Sequence, residues 1–110
     1  AIVHLLNELG NLRLDKGNPT DALAAAEQAI ALDPYNEAAH QVAMHAESVL
    51  GLRQAIVGRY ERLCQELDTR FGLEPEHETR VLYRRLLSQD GREALRHLSP
   101  APASPEGVRR

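Results

Sequence analysis

Gly17 and Gly51 stand 34 residues apart, and each closes one apolar-periodic segment and opens onto another. Glycine just past a helix end supplies the left-handed residue that stops it, and proline just inside the next start is pre-set for helix. After Gly17 comes Asn18-Pro19-Thr20-Asp21, where Asn18 can cap, Pro19 is the first helical residue and Asp21 suits the positive end of the helix dipole. Asp33-Pro34 repeats this punctuation one helix later. Glu74-Pro75 repeats it again, with Glu76 and Glu78 in the first turn that follows. A chain punctuated in this way reads as helices joined by short turns, and short turns force each helix antiparallel to the one before.

The stops and starts predict five helices, over 2–16, 19–32, 36–50, 52–71 and 76–89. Each carries an apolar stripe of helical period. The stripes are Leu5, Leu6, Leu9 and Leu12; then Ala22, Leu23, Ala26, Ala29 and Ile30; then Ala39, Val42, Ala43, Ala46, Val49 and Leu50. The fourth segment offers Ala55, Ile56, Tyr60, Leu63, Leu67 and Phe71, and the fifth Val81, Leu82, Leu86 and Leu87. No segment alternates with period two. After Gln89 the pattern changes: Asp90-Gly91 signals a turn, and Arg92–Leu98 has room for one or two helical turns. Ser99-Pro100-Ala101-Pro102-Ala103-Ser104-Pro105 then reads as a linker or disordered end. The expected division is a helical domain over 1–89 and an extension with a Pro/Ala/Ser-rich tail over 90–110.

With no Trp and a single Phe, the core must be built mostly from Ala and Leu, which suits close helix approach and suits sheets poorly. One cysteine, Cys64, excludes a disulfide within the chain and fits a reducing cytosol. No apolar run nears the roughly 20 residues that span a bilayer. The opening Ala1-Ile2-Val3-His4-Leu5-Leu6 has neither the basic flank nor the cleavage site of a signal peptide, and reads as the middle of a helix, which predicts a piece of a longer protein. Residues 1–50 hold two bases against seven acids, whereas 51–110 hold eleven arginines against nine acids. A DNA reader carries a basic face, so direct DNA binding by this chain is not expected.

Leu9-Gly10, Gly17, Ala22, Ala29 and Pro34 fall at the spacing of a tetratricopeptide repeat, which the first helix pair resembles. Gly10 and Ala22 are small where paired helices cross, Ala29 packs on the next pair, and Pro34 ends the unit. The second pair keeps Gly51 and Ala55 but has one residue fewer before that alanine and a longer second helix. Further along stand Glu37-Ala38-Ala39-His40, Gly51-Leu52-Arg53-Gln54-Ala55, Tyr60-Glu61-Arg62-Leu63 and Phe71-Gly72-Leu73-Glu74-Pro75, then Glu78-Thr79 and Leu82-Tyr83. This order resembles the bacterial transcriptional activator domain of SARP-type regulators, whose ending Leu-Gly-x-x-Pro-x-x-Glu-Thr-x-x-Leu-Tyr is similar to the stretch from Phe71 to Tyr83. The resemblance covers about 10–89. It implies an all-α fold, antiparallel helix pairs stacked as a short tetratricopeptide-like right-handed superhelix. It also implies a regulatory domain that follows a winged helix-turn-helix and serves self-association, signal response and activation.

By likeness to tetratricopeptide repeats, the concave face would present Asn7, Asn11, Gln41 and His45 to a partner, against the plainer reading of a solvated helix face. Glu8 and Val42 stand where a carboxylate clamp would want donors. Arg80, Arg84 and Arg85, with Arg59 and Arg62 on the preceding helix, could hold an anion or assist contact with DNA or polymerase. The plainer reading is a solvated charged face, with Glu76 and Arg80 spaced for a helical ion pair. His40 and His45 are five apart on different faces, and Cys64 has no ligand partner nearby, so neither metal nor cofactor is expected. Cys64 beside the fourth stripe reads as a small core residue. No phosphate loop or nucleophile elbow occurs, so the chain is not expected to be an enzyme.

The expectation is therefore a cytoplasmic interaction domain of a transcriptional activator, without membrane contact. Its partners would be its own DNA-binding domain, a second copy and RNA polymerase, with DNA reached only through a domain outside this chain. Rival readings are a tetratricopeptide scaffold that binds a client peptide, and a spacer module in an ATPase or cyclase sensor.

Overall fold

The computed structural model describes residues 1–98, with side chains to residue 88. Five helices occupy those residues: α1 (Ile2–Asp15), α2 (Pro19–Leu32), α3 (Glu37–Val49), α4 (Arg53–Phe71) and α5 (His77–Leu98). No strand occurs among them, so the fold is all-α, as the punctuation predicts. The helix α3 is central and packs on all four of the others.

The two turns that flank the first repeat are copies at the level of the backbone. At the end of α1, Asn18 N donates to Arg13 O (2.8 Å) and Gly17 N to Leu14 O (3.1 Å). At the end of α3, Leu52 N donates to Glu47 O (2.8 Å) and Gly51 N to Ser48 O (3.1 Å), the same bonds 34 residues on. The six-to-one bond closes a Schellman turn, which needs a left-handed residue; Gly17 has φ 78° and Gly51 φ 74°. Asn36 caps α3 by accepting from Ala39 N at 3.0 Å.

The fifth helix differs from the expected 76–89, because it runs on through Asp90-Gly91 to Leu98. A glycine inside a helix costs only about 1 kcal/mol relative to alanine, and the residues after it are good helix formers. The proline-rich stretch from Ser99 onward lies outside the described residues.

The apolar stripe assigned to α1 also faces the other way. Leu5, Leu9 and Leu12 are exposed, and the face turned inward carries Asn7 and Gly10, both buried, with Leu6 and Leu14 half-buried. The cause is the crossing itself. A Cβ added to Gly10 would lie 2.8 Å from Val42 Cγ1 and 3.5 Å from the Ala22 carbonyl oxygen, so α1 can approach α2 and α3 only through its smallest residue. The same logic fills the core with alanine: Ala22, Ala26, Ala29, Ala39, Ala43 and Ala46 are all inaccessible to solvent.

Two apolar clusters result. Ala26, Val42 and Ala43, with Leu14, Leu23 and Ile30 around them, join the first three helices. Met44, Ile56, Leu82 and Leu86, flanked by Tyr60 and Tyr83, join α3, α4 and α5. The rings of Tyr60 and Tyr83 stack at 3.8 Å. Phe71, placed in the fourth stripe by sequence, is exposed and instead meets Tyr35 edge-on at 5.1 Å.

Between the clusters lies a buried ion pair. Arg59 of α4 donates through Nε and Nη2 to both carboxylate oxygens of Glu47 on α3 (2.8–3.2 Å). Its Nη2 also donates to Glu27 Oε2 on α2 at 2.9 Å. The side chains of Arg59 and Glu47 are 9% and 4% exposed. Burial disfavours the Arg59 charge, and the hydrogen bonds and charges of Glu47 and Glu27 more than offset it, so the pKa of Arg59 is raised.

Gly10→Ala should destabilise the domain by about 1–3 kcal/mol in urea denaturation despite alanine's better helix propensity, through overpacking against Val42. Val42→Ala in the same chain should recover part of that loss, and additive losses would refute the contact. Arg59→Leu should cost about 3–5 kcal/mol by stranding the Glu47 carboxylate, and Arg59→Leu with Glu47→Leu should cost less than Arg59→Leu alone.

Candidate functional site

Helix α5 packs on α3, the first helix of the second pair, and on α4. Polar side chains fix that junction. Gln41 Nε2 donates to Thr79 Oγ1 at 2.9 Å, and Thr79 Oγ1 donates to Glu37 Oε1 at 2.6 Å. The same Glu37 oxygen accepts from the backbone N of Glu76 at 2.9 Å, and so caps the start of α5. Thr79 is fully buried. Gln41, expected to greet a partner, therefore spends its amide donor on the fold.

Beside this relay a shallow groove of about 280 Å³ runs between α3 and α5, lined by Gln41, His45, His77, Glu78, Val81, Leu82 and Arg85. Burial, and secondarily the Arg85 guanidinium, lowers the pKa of His45, so its imidazole is neutral at neutral pH. The groove offers neutral hydrogen-bonding groups on one wall and an exposed guanidinium on the other. Of the four residues expected on the concave face, the structure brings Gln41 and His45 together here. Asn7 is buried and donates from Nδ2 to Asn36 Oδ1 at 3.1 Å, which ties α1 to the cap of α3. Asn11 is exposed on α1.

The three arginines expected as one patch share a helix but not a surface. Arg80 turns towards α4 and lines a hollow with Tyr60, Cys64, Leu73 and Pro75, whereas Arg85 lines the α3 groove. Arg84 is exposed, with Nε 3.4 Å from the Arg80 carbonyl oxygen. Arg80 pairs with Glu74 at 2.8 Å, not with Glu76, which stands just before the first residue of α5. Arg59 is committed to Glu47 and Glu27. In the hollow, burial and then the neighbouring Cys64 sulfur push the Tyr60 hydroxyl up to about 12, and Cys64 itself is half-buried.

On the opposite side of the stack, α2 and α4 enclose a hollow of about 290 Å³, with His40, Tyr35 and Arg59 among its walls. His40 Nε2 lies 2.8 Å from the Pro34 carbonyl oxygen, so that nitrogen carries the hydrogen and donates. Burial lowers the pKa of His40, only partly countered by this bond. Among the described residues, no group of three or more His, Cys, Asp or Glu side chains could hold a metal. No helix there is long and apolar enough to cross a membrane.

Glu37 and Thr79 entered the sequence reading only among the residues that carry the family resemblance, without a structural role, and His77 not at all. Thr79 had a signal: with Leu82, Tyr83 and Leu86 it completes the i, i+3, i+4, i+7 stripe of α5, and a polar residue in such a stripe needs a buried partner. Arg59 had the same signal, three residues after Ile56 and four before Leu63.

The lowered pKa values of His40 and His45 set a pH dependence. Both have an ordinary value of 6.5 when unfolded. Their neutral forms support the fold fully above that value, and the contribution is lost as pH falls from it towards the depressed folded values. Thermal denaturation from about pH 7.5 to pH 5.5 should therefore show falling stability, with a shallower fall for His40→Gln; an identical slope in the variant would exclude His40 as a source.

The family model of the bacterial transcriptional activator domain matches residues 1–87. Neither the curated proteins nor the solved structures searched contain a match. The matched span takes in α1 to α4 and the whole Glu37–Thr79–Gln41 relay that docks α5, and the chain belongs to the bacterial transcriptional activator domain family.

Proposed function

We propose that this chain is the regulatory interaction domain of a bacterial transcriptional activator. It packs against a DNA-binding domain or a second copy and supports activation through protein contacts, RNA polymerase included. DNA is reached through another domain, the setting is the cytoplasm, and no catalytic step is involved. The family match over 1–87 carries this reading. Charge supports its negative half: Arg59, Arg70 and Arg80 are each engaged by a glutamate, and the first fifty residues are strongly acidic. Among the described residues, what remains is no basic face for phosphates. The α3–α5 groove, with His45 and Arg85, is the place we assign to a partner segment on the concave side; Asn7 belongs to the scaffold.

Joined to a DNA-binding domain that is silent alone, the chain should raise transcription of a reporter in bacterial cells, while the isolated chain should fail to shift promoter DNA at moderate salt. An inactive fusion would sink the reading. Tight, sequence-specific binding by the isolated chain would overturn the charge argument.

A further inference from the structure

The hollow of about 290 Å³ between α2 and α4 follows from the way the helix pairs stack. Helix α2 packs on α1 and α3, α4 packs on α3 and α5, and the two make no close backbone approach to each other. Two polar bonds bridge the gap. Arg59 Nη2 on α4 donates to Glu27 Oε2 on α2 at 2.9 Å, and the Tyr35 hydroxyl in the α2–α3 turn donates to Glu66 Oε1 on α4 at 3.2 Å. At roughly 30 Å³ for each water, the space takes about ten of them, or one single-ring molecule with a short side chain. Ile30, Pro34 and Leu63 supply apolar wall, which favours carbon over water.

Most polar groups on these walls are already engaged. His40 donates from Nε2 to the Pro34 carbonyl oxygen. Arg59 commits Nε and Nη2 to Glu47 and Glu27. Its remaining nitrogen, Nη1, makes no hydrogen bond among the described residues, yet it is not sealed from solvent as the partnerless Nδ1 of His40 is. Arg59 is only 8% exposed, and the hollow is the space its side chain borders. A guanidinium N–H so placed calls for an acceptor.

Charge narrows the kind of acceptor. Glu27 and Glu47 set two carboxylates against the one guanidinium of Arg59, and Glu66 is balanced by Arg70. An entering carboxylate would meet surplus negative charge at the floor and lose its hydration. An ammonium would lose its hydration and face an N–H donor. A carbonyl oxygen takes the hydrogen bond and brings no charge.

We infer that the α2–α4 hollow is a binding site for a small neutral molecule, an apolar ring with a carbonyl-type oxygen that accepts from Arg59 Nη1. Once bound, it ties α2 to α4 and so fixes the angle between the two helix pairs. The site is separate from the α3–α5 groove assigned to a partner segment.

Acetophenone, phenylacetate and phenethylammonium share one ring and a similar size, and present a neutral acceptor, an anion and a cation. Each is titrated from about 0.1 to 20 mM, the range of fragment affinities, into the isotope-labelled 110-residue chain and followed by nuclear magnetic resonance. Acetophenone should give saturable shifts at the amides of Ile30, Tyr35 and Leu63 and at the Arg59 guanidinium, and should raise the melting temperature with concentration. The two ions should bind severalfold more weakly. Ile30→Phe, which fills the hollow with a ring, should abolish the shifts while the circular dichroism is kept; Ile30→Met is the milder filling if the phenylalanine chain fails to fold. Absence of saturable shifts with acetophenone overturns the proposal and leaves the hollow to water or to a side chain of a protein partner. Equal binding of either ion, or an unmoved Arg59 signal, overturns the ligand class. Shifts that survive filling of the hollow, or that centre on another groove, overturn the place.

Discussion

At the crossing of α1 with α3, the Gly10 backbone lies where one added methyl would sit 2.8 Å from a methyl of Val42. Much else in the structure answers to that approach. Around α2 and α3, helices so close are filled largely by alanine, so the core there gains its area from many small contacts and no large ring. Large side chains are pushed to the margins, where Tyr60 stacks on Tyr83 and Tyr35 meets Phe71. Where α4 stands off from α2, Arg59 bridges the gap and finds two carboxylates within 3.2 Å. An alanine core supplies less burial per residue than a leucine core, which gives the buried charge network and the helix caps a larger share in defining one arrangement.

The junction of α5 with α3 follows a different rule. Apolar burial by Leu82 and Leu86 holds the helix down, but such contacts tolerate sliding. The buried Thr79 hydroxyl, donating to Glu37 and accepting from Gln41, permits a single register. That register sets which α5 side chains reach the α3 groove: Val81 and Arg85 line it with His45, and Arg80 is carried away from it.

Much of this was legible in the chain. The turns are written in glycine, proline and asparagine, and four of the five helices begin and end within about a residue or two of their signals. The faces were harder. Sequence counts leucines as inward, yet α1 turns a glycine and an asparagine inward, because the closeness of a crossing depends on the partner helix and not on α1. Asn7 and Gln41 look like free amides until Asn36 and Thr79 come alongside from 29 and 38 residues away. The end of α5 was misplaced because Asp90-Gly91 is a turn only when nothing continues the helix beyond it. Arg59 and Thr79 were readable in principle, as polar residues at positions where an apolar stripe predicts none.

The paired turns after α1 and α3 carry a consequence for ancestry and detection. Their bonds correspond one for one, Asn18 to Arg13 and Leu52 to Glu47, although none of these four residues matches its counterpart. Only the glycine is common. What the chain has kept from one unit to the next is a backbone bonding register, while the side chains hung on it have drifted into separate jobs: Arg13 donates to a carbonyl, and its counterpart Glu47 binds a buried arginine. Comparing hydrogen-bond ladders at a fixed offset would recover such units after residue identity has faded, and would count repeats in relatives that sequence alone leaves undivided.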